Sequence, residues 1–102
     1  MRVISKRRLR EFWQQESTAQ AALEGWYRVV NDKQLTWFDF HDVKATYGNA
    51  SLVGECVVFN IGGNKFRLIA KINYHTHYVF VRVVLTHEEY DEGKWKKDCG
   101  SK

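Results

Sequence analysis

The sequence has 102 residues, the length of one domain, which can bury a real core but leaves no room for a second. With 44% hydrophobic and 15% aromatic residues the chain is too apolar for disorder, and 16 Lys and Arg against 12 Asp and Glu give a formal charge of +4, too small by itself to mark a nucleic-acid binder. No apolar run approaches the roughly 20 residues of a membrane helix. The basic start, Met1-Arg2-Val3-Ile4-Ser5-Lys6, lacks the apolar stretch of a signal peptide, so the expectation is a cytoplasmic protein with no membrane contact.

Arg2-Val3-Ile4 is β-branched and predicts a short first strand. Ser5 is placed to cap a helix running to about residue 16, with Leu9, Phe12 and Trp13 on its apolar stripe and Lys6, Arg7 and Arg10 around them. Ser17-Thr18 offers a second cap. A second helix to about residue 30 then puts Ala22, Leu23, Trp26, Val29 and Val30 on a buried stripe, giving a helical hairpin. Trp37, Phe38, Phe40 and Val43 predict one short helix over 38–46, and Gly48-Asn49-Ala50-Ser51 a loop.

Three strands follow, over 56–61, 65–74 and 78–85. Gly62-Gly63-Asn64 is a strong hairpin signal, because Gly and Asn tolerate positive φ, and His75-Thr76 is a weaker one. With two-residue loops, cross-strand partners share a face. One face then collects Val57, Phe59, Ile61, Phe66, Leu68, Ala70, Ile72, Val79, Val81, Val83 and Leu85, all apolar, and packs on the helices. The other carries Val58, Asn60, Arg67, Ile69, Lys71, Asn73, Tyr78, Phe80, Arg82 and Val84. The predicted fold is α+β: an N-terminal strand, two helices and a short third packed on an antiparallel meander.

The second face is where function is sought. Arg67, Lys71 and Arg82 can meet phosphates, and Asn73, Tyr78 and Phe80 can contact or stack on bases. The same residues also suit a solvated sheet side. After the last strand, Thr86 and Glu89 have capping-box spacing and start a short C-terminal helical turn. His87 and Tyr90 on that turn are candidates for the proton transfers of RNA cleavage, with the cations stabilising charge on phosphorus. A plain helix-start residue is the competing reading of His87. Trp13, Trp26, Trp37 and Phe38 are read as core, and residues 94–102 as a flexible tail to a single domain spanning 1–102. Cys56 falls in a strand and Cys99 in that tail, an arrangement that does not argue for a disulfide. His75 and His77 with a distant Cys99 do not make metal-ligand spacing, so neither metal nor cofactor is expected.

Val58-Phe59-Asn60-Ile61-Gly62-Gly63-Asn64-Lys65-Phe66-Arg67-Leu68, then Arg82 and Thr86-His87-Glu88-Glu89-Tyr90-Asp91, resemble the signature of HigB toxins of the RelE/ParE superfamily. The opening thirteen residues (Met1 through Trp13) and Phe40-His41-Asp42-Val43-Lys44-Ala45-Thr46 are also similar to the family. The resemblance implies a RelE-like fold and a toxin of a type II toxin-antitoxin system. It implies an endoribonuclease that cuts mRNA at the ribosome and is neutralised by a HigA-like helix-turn-helix antitoxin. By the same resemblance Arg67, Arg82, His87 and Tyr90 are the catalytic candidates. Lys71 is added by strand parity, with Asn73, Tyr78 and Phe80 beside it for RNA. Two alternatives remain: a ParE-like gyrase poison without nuclease activity, and a non-catalytic RNA-binding module. Neither needs proton-transfer groups.

Overall fold

A computed structural model describes residues 1–100. The elements run β1 (Arg2–Ile4), α1 (Lys6–Gln15), a 3-10 turn (Ser17–Ala19), α2 (Gln20–Val30), α3 (Phe40–Thr46), β2 (Ser51–Val53), β3 (Cys56–Ile61), β4 (Phe66–Asn73), β5 (Tyr78–Thr86), α4 (His87–Glu92) and a C-terminal 3-10 helix (Lys94–Cys99). The α+β class and the helical hairpin are as the sequence predicts. The sheet is five-stranded and mixed, in the order β1-β5-β4-β3-β2. β1 runs parallel to β5, because α1 and α2 carry the chain back across one face before the meander begins. β2 corrects the loop expected at its start: Ser51 pairs with Val58 at the edge of the sheet.

Helix boundaries follow local chemistry that the sequence only partly signals. Asp39 caps α3 by accepting from the Asp42 amide at 3.0 Å. The Thr86/Glu89 box forms as predicted, the Glu89 amide donating to Thr86 Oγ1 at 3.2 Å and the Thr86 amide to Glu89 Oε1 at 3.0 Å. Ser5 sits at the N-cap of α1 without making a side-chain cap bond, and neither Ser17 nor Thr18 caps α2, whose N-cap is Ala19. At the outer edge of β1, the Val3 amide donates to Asn31 Oδ1 at 2.9 Å.

The main core lies between the helices and the predicted apolar face. Leu9, Leu23, Val30, Trp37, Val43, Phe59, Leu68 and Val79 are all buried there. Phe59 is its hub: Trp26 meets it edge-on at 5.4 Å, Tyr47 edge-on at 5.5 Å and Trp37 stacks at 6.1 Å. Two residues assigned to the core stay out of it. Val29 is exposed on α2, and Phe38 is 70% exposed beside His77 in the β4–β5 turn.

The strand register departs from simple alternation at one point. β5 has nine residues against eight in β4, and the excess is taken up where Ile69 pairs with Val83 but Ala70 with Val81. Arg82 is thus left without a partner opposite, a β-bulge. Its carbonyl accepts from Arg8 Nη1 of α1 at 3.0 Å. Beyond it the faces exchange. Val84 joins the main core, while Val83 and Leu85 turn to the second face.

That second face is not open along its length. Cys56, Val58 and Ile69 form a smaller core there with Trp95 and Cys99 of the C-terminal 3-10 helix. Two expectations are corrected together. Residues 94–100 pack on the sheet, with 101–102 outside the described residues, and Cys99 is disulfide-bonded to Cys56 across a Cα–Cα distance of 5.2 Å. The polar letters around Cys99 concealed it, because Trp95 and Cys99 are the buried residues of a short 3-10 helix that is otherwise polar. Closing a loop of 43 residues stabilises the fold by about 4 kcal/mol on the chain-entropy model. Replacing Phe59 with Ala removes three aromatic contacts at once and is expected to cost about 3–5 kcal/mol, read as a lower urea midpoint with the slope unchanged.

Candidate functional site

Two clusters emerge on and beside the second face. The first sits where β4, β5 and α4 meet. The capping box fixes the start of α4, and the His87 amide donates to the Lys65 carbonyl at 3.1 Å, tying the helix to the β3–β4 turn. His87 and Tyr90 lie three apart on α4, with ring centroids 6.4 Å apart. Arg67 is buried at 9% exposure. Its guanidinium lies 5.1 Å from the centre of the Tyr90 ring, and Nη1 donates to the Phe66 carbonyl at 3.1 Å. Desolvation strengthens such a cation–ring contact. Tyr90 in turn stacks on Trp95 at 5.1 Å, and Trp95 Nε1 donates to the Tyr90 carbonyl at 2.9 Å. The Tyr90 ring is therefore held between β4 on one side and the C-terminal 3-10 helix on the other.

The residue overlooked in the sequence is Asp91. Its Oδ2 stands 2.9 Å from His87 Nδ1. The signal was available, since His87 and Asp91 have the (i, i+4) spacing of helix neighbours. A carboxylate at Nδ1 keeps the proton on that nitrogen in neutral imidazole and leaves Nε2 as the acceptor. The pair is partly exposed, with side-chain accessibilities of 48% and 61%, so Nε2 can be reached from solvent.

The second cluster gathers the remaining cations around one carboxylate. Arg82 holds Asp98 with a two-pronged contact, Nε to Oδ2 at 2.7 Å and Nη2 to Oδ1 at 3.0 Å. Lys71 Nζ is 3.7 Å from Asp98 Oδ1 and 3.7 Å from Glu55 Oε2. The structure thus separates the catalytic candidates: Arg67, His87 and Tyr90 come together, and Arg82 stands with Lys71. Tyr78 and Phe80 are exposed neighbours on the same face, their rings 5.9 Å apart, and Phe80 is Lys71's register partner. Asn73 uses its side-chain carbonyl on the β4–β5 turn, accepting from the His75 and Thr76 amides at 3.0 and 3.1 Å. Asp39, His41 and Asp42 are also close together, but both carboxylates are occupied as backbone caps, Asp42 accepting from the Phe38 amide at 2.9 Å.

A mixed sheet carrying a helical hairpin on one face, with a short helix after its last long strand, is a RelE-like fold. The family described as HigB_toxin, the RelE-like toxic component of a toxin-antitoxin system, matches residues 19–93, and the chain belongs to it. Among similar proteins, the mRNA interferase toxin HigB of Escherichia coli (strain K12) is 44% identical over 43 residues, covering 42% of this chain and 41% of the relative. The match to mRNA interferase HigB of Shigella flexneri has the same extent. With these relatives the chain aligns over about two-fifths of their length. The mRNA interferase HigB of Escherichia coli O6:H1 is 29% identical over 93 residues, 90% of each chain.

The Arg82 contact has a measurable signature in acid. Hydrogen bonding from Arg82 holds the Asp98 carboxyl below the usual aspartate range, against a smaller opposing effect of burial. A depressed folded-state value means that the contact contributes stability above the ordinary aspartate pKa and loses it as pH falls through the lowered one. A carboxyl NMR titration is expected to find Asp98 titrating below the ordinary aspartate range. Arg82→Gln should return it to the ordinary range.

Proposed function

We propose that the chain is an endoribonuclease, the toxin of a type II toxin-antitoxin system, which cuts mRNA at the ribosome. A HigA-like helix-turn-helix antitoxin is its inhibitor and the cytoplasm its place of action. The observation that carries the reading is the His87–Asp91 pair beside Tyr90 and Arg67 at one strand end. The names of the relatives support the substrate class. No helix among the described residues is long and apolar enough to cross a membrane.

RNA cleavage by its own 2′-hydroxyl needs a base, an acid for the departing 5′-oxygen, and positive charge near the phosphorus. His87 Nε2, with Nδ1 turned to Asp91, is set to take the 2′-hydroxyl proton. The Tyr90 hydroxyl is set to give one to the leaving oxygen, and Arg67 supplies charge beside it. These roles use side chains alone, with neither metal nor cofactor assigned a step. Asp91 acts through His87 as a positioning residue. Tyr78 and Phe80, with Lys71 alongside and Asn73 at the strand end, offer stacking and phosphate contacts to the flanking message. A gyrase poison or a simple RNA binder would have no use for the His87–Asp91 arrangement.

Expression without an antitoxin is expected to arrest bacterial growth. Mapping of transcript 5′ ends should place new ends inside translated frames; normal growth at high levels of folded protein would count against the toxin role. In single-turnover cleavage of a ribosome-bound message, His87→Ala should slow the reaction by ~10²–10⁴-fold with binding largely kept. Tyr90→Phe, which keeps the ring and removes the hydroxyl, should act in the same direction. Asp91→Asn should slow single-turnover cleavage with RNA binding and melting temperature largely kept, because Asp91 acts through His87. Full activity in both His87→Ala and Tyr90→Phe would remove the acid–base assignment.

A further inference from the structure

Arg82 and Lys71 are the cations that the sheet face offers to RNA, yet in this structure an internal carboxylate already occupies them. A guanidinium fork closing on two oxygens is the geometry by which Arg recognises phosphate as well as carboxylate. Asp98 makes that contact through both oxygens, and Lys71 completes the ring of charge. Beside it runs a shallow groove lined by Ile69, Val83, Leu85 and Trp95, apolar enough to take the sugar or base next to a phosphate.

We propose that Arg82 and Lys71 form a subsite for an RNA backbone phosphate, that Asp98 is a built-in plug of this subsite, and that the Cys56–Cys99 disulfide is the latch that seats the plug. The inference rests on the RNA-cutting reading above and adds to it a redox control of substrate entry.

The latch matters because the ion pair alone is weak. Both side chains are partly exposed, with accessibilities of 42% and 40%, and exposed pairs of this kind are screened and exchange readily. Asp98 immediately precedes Cys99, whose sulfur is bonded to β3 and whose carbonyl accepts from the Glu55 amide at 2.8 Å. The tether keeps the carboxylate at high effective concentration over Arg82, so a phosphate arriving from solution competes poorly. The segment is bounded by Gly93 and Gly100, at φ 77° and 72°. Release of the bond would let it swing away as a unit, taking Trp95 from its stack on Tyr90. The main core lies on the other face of the sheet, away from the latch.

The chemistry is thiol–disulfide exchange with a dithiol reductant. Its thiolate attacks one sulfur of the Cys56–Cys99 bond, giving a mixed disulfide, and its second thiol displaces the protein sulfur. Two electrons and two protons pass to Cys56 and Cys99 as thiols, and the reductant becomes a disulfide. Both cysteines are fully buried, so attack awaits local opening and the oxidised form persists. Intracellular disulfides are commonly transient or redox-sensing, and here the reduced protein is the open one.

The test uses the full chain and a fluorescent single-stranded oligoribonucleotide with 2′-O-methyl sugars, which reads binding without cleavage. Dithiothreitol-reduced protein, shown by thermal unfolding to be folded, is expected to bind on the order of tenfold more tightly than oxidised protein. Asp98→Asn with its disulfide intact by thiol titration should bind as tightly without reductant, and reduction should then add little. Equal affinity of the oxidised chain and Asp98→Asn would overturn the plug. If reduction unfolds the protein, the latch is refuted as a switch and Asp98→Asn alone decides the plug. Cleavage separates the two readings. Redox-dependent binding with no cleavage in any state upholds the plug and defeats the nuclease. Cleavage at one rate in oxidised, reduced and Asp98→Asn protein upholds the nuclease and defeats the plug.

Discussion

One additional residue in β5, opposite the Ile69–Ala70 step of β4, sets the character of both sheet faces. Before the bulge, odd-numbered residues of β5 such as Val79 and Val81 face the helices. After it, Val84 does. Val83 and Leu85, displaced to the far side, supply the apolar floor on which Trp95 sits. Trp95 holds Tyr90, and Tyr90 covers Arg67. Arg82, at the bulge itself, is swung out to meet Asp98, and its carbonyl is steadied by Arg8 from the opposite layer. A perfectly alternating strand would have delivered two apolar residues to a core already filled and left the C-terminal helix nothing to rest on.

The parts of the fold legible in the sequence are those where one local rule decides the outcome. The Leu9, Leu23, Trp26 and Val30 stripes mark the hairpin, Gly62-Gly63 marks the β3–β4 turn, which spans four residues rather than the two expected, and Thr86 with Glu89 marks the start of α4. The illegible parts depend on events distant in sequence. Parity counting assumes an unbroken ladder, and no letter in Val81-Arg82-Val83-Val84 announces a bulge. The parallel pairing of β1 with β5 joins residues some seventy-six positions apart, beyond the reach of any local pattern. Cys99 lies among Lys and Asp residues, so its burial is visible only once Trp95 is seen to turn inward with it.

The site shows the same division. His87, Tyr90 and Arg67 were named from the sequence and do converge, because the capping box and the strand pairing are both local and strong. Arg67 was expected as an exposed cation and is instead a buried one, since α4 and Trp95 fold over the strand end that parity alone left open. Arg82 shares the second face with Arg67 as parity predicts, but it stands with Lys71 against Asp98, while Arg67 lies beneath Tyr90. Asp91 is readable from its four-residue spacing to His87, but the same spacing also suits a charged residue that meets only water on a short helix.

The side chain of Asn31 has a bearing on how this protein behaves in a crowd. β1 is an outer strand, and an unpaired outer strand offers its amides to any neighbouring chain as a template for continuing the sheet. The central outward amide, that of Val3, is already bonded to Asn31 from the end of α2. The opposite border, β2, is only three residues long and gives a foreign strand little to grip. Between them, these two borders discourage a second copy from continuing the sheet.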